Sequence, residues 1–115
     1  MPLKILVVED NPDARQMVGE LIAMLGYSVS CASDGEQAWQ LFLAQQFDIL
    51  LTDVSLPGMS GIALAGNALA RQPGLKVIFS TGYDGDWLGG IGFAARMLRK
   101  PYDLTELKAA LDNPD

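Results

Sequence analysis

Three carboxylates, a hydroxyl and an ammonium stand at the ends of four short segments that read as strands: Glu9 and Asp10, Asp53, Thr81 and Lys100. Carboxylates brought to one place repel each other and call for a cation. All-oxygen ligands select a hard one, and Mg²⁺ usually takes one or two carboxylates, several waters and a phosphate oxygen. Beside such a cation Asp53 is a free nucleophile, and carboxylates attack phosphoryl groups to give aspartyl phosphates. A transferring phosphoryl group needs its equatorial oxygens neutralised. The cation can hold one, the Lys100 ammonium a second, and the Thr81 hydroxyl with a nearby backbone N–H the third. Each residue has a plainer reading by itself. Glu9 and Asp10 suit the positive end of a following helix, Thr81 suits a strand end, and Lys100 suits a solvated loop. The five at the same ends of four strands make a constellation more specific than any of them.

The elements that must position them follow from the pattern. Leu3 to Val8 reads as a first strand. Asn11-Pro12 then caps a helix with proline at its first position, where its missing N–H costs nothing. Ala14, Met17, Val18, Leu21, Ile22 and Leu25 recur at helical spacing as its core stripe, and Gly26 ends it. Tyr27 to Ala32 is a second, less apolar strand. Ser33 and Glu36 have the spacing of a capping box for a helix with Ala38, Leu41 and Phe42 inward and Trp39 near the edge of that face. Ile49 to Leu51, bounded by turn signals, suits a strand buried on both faces that ends at Asp53. After Pro57 and Gly58, Ser60-Gly61 caps a third helix to about Arg71, with Ile62, Leu64, Ala65, Ala68 and Leu69 apolar. Leu75 to Thr81 is the fourth strand. The stretch from Tyr83 to Ala95 holds Gly85, Gly89, Gly90 and Gly92, so a helix there is short or irregular. Arg96 to Arg99 is the fifth strand. Asp103 and Glu106 form a capping box for a last helix with Leu104, Leu107 and Leu111 inward. Strands and helices in alternation imply an α/β fold, a doubly wound five-stranded parallel sheet of order 2-1-3-4-5. Ligand sites of such sheets lie at the carboxyl ends of the strands.

Composition sets the boundaries. The 115 residues suit one domain, 1–115, and half of them are hydrophobic. A net charge of -6 argues against nucleic acid and anionic membranes and for a cation or basic partner. No run approaches a membrane span, and the N-terminus lacks a signal-peptide pattern. The single cysteine, Cys31, permits no intrachain disulfide and reads as a small core residue of a reduced, cytoplasmic protein.

Over residues 3–112 the chain resembles the receiver domain of two-component response regulators. The resemblance rests on Ile5-Leu6-Val7-Val8-Glu9-Asp10, on Asp53 with Leu56-Pro57-Gly58-Met59 and Gly61, on Thr81-Gly82 and on Lys100-Pro101. It implies a flavodoxin-like fold, Asp53 as phosphoacceptor, and Mg²⁺ held by Glu9, Asp10, Asp53 and the Ser55 backbone carbonyl. It also implies Thr81 as the switch hydroxyl, Lys100 as the phosphate-binding lysine and a cis Lys100–Pro101 peptide. The donor would be a phosphohistidine on a histidine kinase or histidine phosphotransfer protein. This chain has no histidine and cannot itself be the donor. Met97 departs from the pattern, standing where the family usually has an aromatic residue that swings with the switch hydroxyl. Ser55 and Tyr83 flank the site and are expected to tune hydrolysis, and Trp87 is expected to respond to Mg²⁺ more than Trp39. With no effector in the chain, a stand-alone regulator, a receiver of a hybrid kinase and a fragment of a longer regulator are the choices, and Met1 favours the first or third. Downstream partners would be a protein or an effector domain.

Rival readings are an aspartate-nucleophile phosphatase, a scaffold that is not phosphorylated and a flavin-binding domain. The phosphatase commonly has an acid two residues after its nucleophile, where this chain has Ser55. The complete set of five residues argues against the scaffold, and the acidic loop Glu9 to Asp13 would repel a flavin phosphate. The expected protein is therefore no enzyme beyond its own phosphorylation and dephosphorylation.

Overall fold

The structure, a computed structural model, describes residues 3–82 and 92–112. In chain order the elements are β1 (Lys4–Val8), α1 (Pro12–Met24), β2 (Ser28–Ala32), α2 (Gly35–Ala44), β3 (Ile49–Asp53), α3 (Gly61–Arg71), β4 (Lys76–Thr81), β5 (Arg96–Arg99) and α4 (Leu104–Asp112). The five strands are parallel and lie in the order β2-β1-β3-β4-β5. The expected order and every expected strand are present. The irregular helix expected between the fourth and fifth strands falls mostly outside the described residues, as do Tyr83 and Trp87.

Alternation along each strand splits the core into two layers. Leu6, Val8, Leu50, Val77 and Phe79 face one way, onto Ala38 and Phe42 of α2 and Leu64, Ala65 and Ala68 of α3. Ile5, Val7, Ile49, Leu51, Ile78 and Leu98 face the other way, onto Val18 and Ile22 of α1 and Leu107, Ala110 and Leu111 of α4. A sheet covered on both faces needs continuously apolar inner strands, and all five residues of β3 are buried. Fully burying one large apolar side chain stabilises the fold by about 1.5–3 kcal/mol, and Phe47, Phe79, Ile5 and Leu6 are among those so buried.

Local signals end the helices. The Asn11 side chain accepts from the backbone N–H of Asp13 and Ala14, both at 3.0 Å. Gly26 takes φ of 96° just beyond the last turn of α1, the left-handed conformation that favours glycine there. Ser60 accepts from Ala63 N at 3.1 Å. Asp103 and Glu106 bond reciprocally, at 2.8 and 3.3 Å, as their spacing predicts.

Four expectations are corrected. The cap of α2 is Asp34 rather than Ser33: Asp34 Oδ1 accepts from Gln37 N at 2.7 Å, and Gln37 Oε1 accepts from Ser33 N at 2.7 Å. Two overlapping S/D-x-x-E/Q patterns compete here, and the one shifted by a residue forms. Cys31 is exposed, not core. β2 is an edge strand, and the α1 residue beside its thiol is Gly19, which has no side chain to cover it. Met17 is 53% exposed, because the buried stripe of α1 centres on Val18, Gly19 and Ile22. Leu104 is exposed at the first position of α4, and Ala110 takes its place inside.

Candidate functional site

Strand register builds the site. Val8 pairs with Thr52, so Glu9, the next residue, comes level with Asp53. Asp53 pairs with Ser80, and Thr81 with Arg99. Lys100 follows β5 directly; its N–H donates to the Thr81 carbonyl at 2.8 Å, and the Lys100–Pro101 peptide is cis. The Lys100 ammonium lies 2.7 Å from Glu9 Oε1 and 2.9 Å from Asp53 Oδ1. Glu9 is fixed on its other side: Oε2 accepts from Asn11 N at 3.2 Å, and its carbonyl accepts from Arg15 Nη1 at 2.9 Å. Glu9, Asp53 and Thr81 are buried, whereas Asp10 is exposed.

One carboxylate oxygen from each of Glu9, Asp10 and Asp53 lies within 4.8 Å of the others. Asp10 and Asp53 border an open pocket of about 520 Å³ whose lining also includes Ser55, Thr81, Gly82 and Lys100. All six expected site residues therefore gather at the expected edge of the sheet: Glu9, Asp10, Asp53, Ser55, Thr81 and Lys100. Hard oxygen donors, two of them buried and one open to water, fit a partly hydrated Mg²⁺ rather than a soft metal.

The electrostatics agree with the crowding. Burial pushes Asp53 up to about 7; its bond to Glu9 adds to this, and Lys100 partly opposes it. Burial also works against the charge on Glu9, but bonds to Asp53, Lys100 and the Asn11 N–H outweigh it and hold Glu9 down to about 2. Without a cation, burial and the neighbouring Glu9 thus favour the protonated form of Asp53. Burial opposes the charge on Lys100 too, yet its bonds to both carboxylates raise its value overall.

The loop after Asp53 is set by close approach. A Cβ on Gly61 would lie 1.8 Å from the Asp53 carbonyl oxygen, so only glycine fits there, and Gly61 N donates to Val54 O at 2.8 Å. Gly58 turns the same loop at φ of 75°. Sequence reasoning missed four residues around the site: Asn11 and Arg15, which hold Glu9, and Ser80 and Tyr102, which lie behind Asp53. Period-two alternation carries a signal for Ser80, two residues after core-facing Ile78.

The family model of the response regulator receiver domain matches residues 5–112. The chain belongs to that family. It is 35% identical over 107 residues to the response regulator receiver protein CpdR of Brucella abortus, covering 90% of this chain and 89% of CpdR. Other curated relatives are longer, and the chain spans from 10% to 54% of seven of them. Among solved structures it is similar to the response regulator TrrA of Thermotoga maritima in complex with Mg(2+)-BeF, with TM-score 0.89, 29% identity and all of both chains covered. The chemotaxis protein CheY4 of Vibrio cholerae gives TM-score 0.89 at 25% identity, covering 96% of this chain and 97% of that one. No helix among the described residues is long and apolar enough to cross a membrane.

Proposed function

We propose that this chain is a phosphoacceptor receiver, a single domain over residues 1–115, that takes a phosphoryl group onto Asp53 from a histidine kinase or histidine phosphotransfer protein. The observation that carries the reading is the Lys100 ammonium between Glu9 and Asp53, at the edge of a pocket where three carboxylates converge. An Asp53 carboxylate oxygen attacks the phosphorus of a phosphohistidine; the P–O bond forms, the P–N bond breaks, and the imidazole leaves with the electron pair. Lys100, already in place, exchanges a carboxylate partner for a phosphoryl oxygen, and the Thr81 hydroxyl at the pocket wall takes another. Glu9, Asp10, Asp53 and the Ser55 carbonyl would hold Mg²⁺, which when bound neutralises the acidic cluster and the incoming phosphoryl charge. TrrA, solved with Mg(2+)-BeF, supports this reading by similarity.

The output is a change in a protein-interaction surface, read by a downstream protein or an effector domain, in the cytoplasm and without direct nucleic-acid or membrane binding. Met97, half-buried and level with Phe79, replaces an aromatic swing with repacking of a flexible thioether. Ser55 in place of a general acid argues against turnover of small phosphate esters. Intact mass after incubation with acetyl phosphate tests the reading. One phosphoryl group gained with Mg²⁺ and lost with chelator is expected; an equal gain under chelation, or none with Mg²⁺, would overturn it.

A further inference from the structure

Behind the acidic pair, on the α1 and α4 side of the sheet, lies a second, much smaller space. It is lined by Glu9, Asp53, Ser80 and Tyr102 over an apolar floor that includes Val7 and Leu51. The volume open to the centre of a water-sized sphere is about 10 Å³, and one water needs roughly 10–15 Å³ on that measure. Ser80 is 4% exposed, and its Oγ has no hydrogen-bond partner among the described residues. Its strand position puts it level with Asp53 and on the same face as Ile78, towards this space. Tyr102 packs against that layer, and its phenol comes close enough to interact with the Ser80 hydroxyl without completing a hydrogen bond.

A buried hydroxyl without a partner is costly, and an apolar void of this size would stay dry. This one is lined by Ser80, with its unpartnered hydroxyl, and by Tyr102, Asp53 and Glu9, residues that can supply the two to four polar partners a buried water takes. We propose that one ordered water occupies this space and bridges Ser80 Oγ and Tyr102 Oη to the carboxyl groups of Asp53 and Glu9. Ser80 and Tyr102 are then positioning residues. They hold the Asp53 carboxylate from behind while Lys100 holds it from the front. Tyr102 directly precedes Asp103, the cap of α4, so the bridge also ties the entry of α4 to the occupancy of the acidic site.

The functional half of this inference rests on Asp53 being the phosphoacceptor; the water itself does not. A crystal structure of the full chain at about 1.3 Å should show the water within hydrogen-bond distance of Ser80 Oγ and Tyr102 Oη. An empty space, or a direct Ser80–Tyr102 hydrogen bond that closes it, would overturn the proposal whatever Asp53 does. Phosphorylation rates with acetyl phosphate and Mg²⁺ then test the positioning role. Ser80→Ala and Tyr102→Phe should each slow the reaction about three- to tenfold, as small misplacements of reacting groups do. The double variant should be no slower than the slower single variant, because both remove the same bridge, and Ser80→Thr should restore the rate. Multiplicative losses, or rates unchanged in both variants, would overturn the positioning role. Absence of labelling in the wild type would sink the phosphoacceptor reading instead and leave the crystallographic test standing.

Discussion

The three carboxylates that converge within 4.8 Å at this edge of the sheet favour the protonated form of buried Asp53 and would be relieved by a cation. A carboxyl raised to about 7 makes the native state bind more protons than the unfolded chain from about pH 4 to about pH 7, so stability falls as pH rises through that window. Glu9, held down to about 2, acts oppositely: its contribution is full above its ordinary value and is lost as pH falls towards 2. Metal-free protein should therefore lose stability in urea denaturation between about pH 5 and about pH 8, the loss coming from Asp53. Asp53→Asn should remove that loss and exceed the wild type in stability at the upper pH. A wild type that gains stability over the same interval, or an Asp53→Asn variant weaker at the upper pH, would contradict the coupling of these two carboxyls.

At the level of elements, caps and close approaches decide how firmly the strand ends are held. Replacing Asp34 by alanine should cost about 1 kcal/mol, as the loss of a capping side chain does. Ser33→Ala should cost much less, although the Ser33–Glu36 spacing points to it. Gly61→Ala should cost about 3 kcal/mol, at the upper end for overpacking, because its Cβ would collide with the backbone of Asp53. Thermal or urea unfolding reads all three, and equal costs at Asp34 and Ser33 would favour the unshifted box. These positions also show what could be read in the chain beforehand. Strand ends such as Asp53 and Thr81 were legible because β-branched and apolar runs stop abruptly there. Five of the candidate site residues, Glu9, Asp10, Asp53, Thr81 and Lys100, were legible because a parallel sheet gathers the carboxyl ends of its strands, whereas Ser55 came from the family resemblance alone. The exposure of Cys31, Met17 and Leu104 was not legible, since helical or strand periodicity marks a face but not which neighbour covers it. At Cys31 the deciding neighbour is Gly19 of α1, on another element and twelve positions away in the chain. Ser80 escaped notice because a serine in an apolar strand looks like a tolerated small residue until its missing partner is seen.

For the whole molecule, the acidic cluster and the fold are one thermodynamic system. A ligand that binds only the native state stabilises it by about 2.7 kcal/mol at a hundred times its Kd. Saturating Mg²⁺ should therefore raise the urea midpoint and flatten the pH dependence, and Asp10→Asn, which removes the exposed carboxylate of the cluster without touching the core, should abolish most of that gain. A midpoint indifferent to Mg²⁺ would count against the metal site. The two-layered core leaves the chemistry to one rim, so the central claim concerns a single atom pair, an Asp53 oxygen and a phosphorus. The measurement that tests it most directly is borohydride trapping after phosphorylation, followed by peptide mass spectrometry, because reduction of an aspartyl phosphate leaves homoserine at the modified position. Homoserine at position 53, formed only with Mg²⁺ present, is the predicted result; homoserine at position 10 or elsewhere, with Asp53 intact, would contradict it.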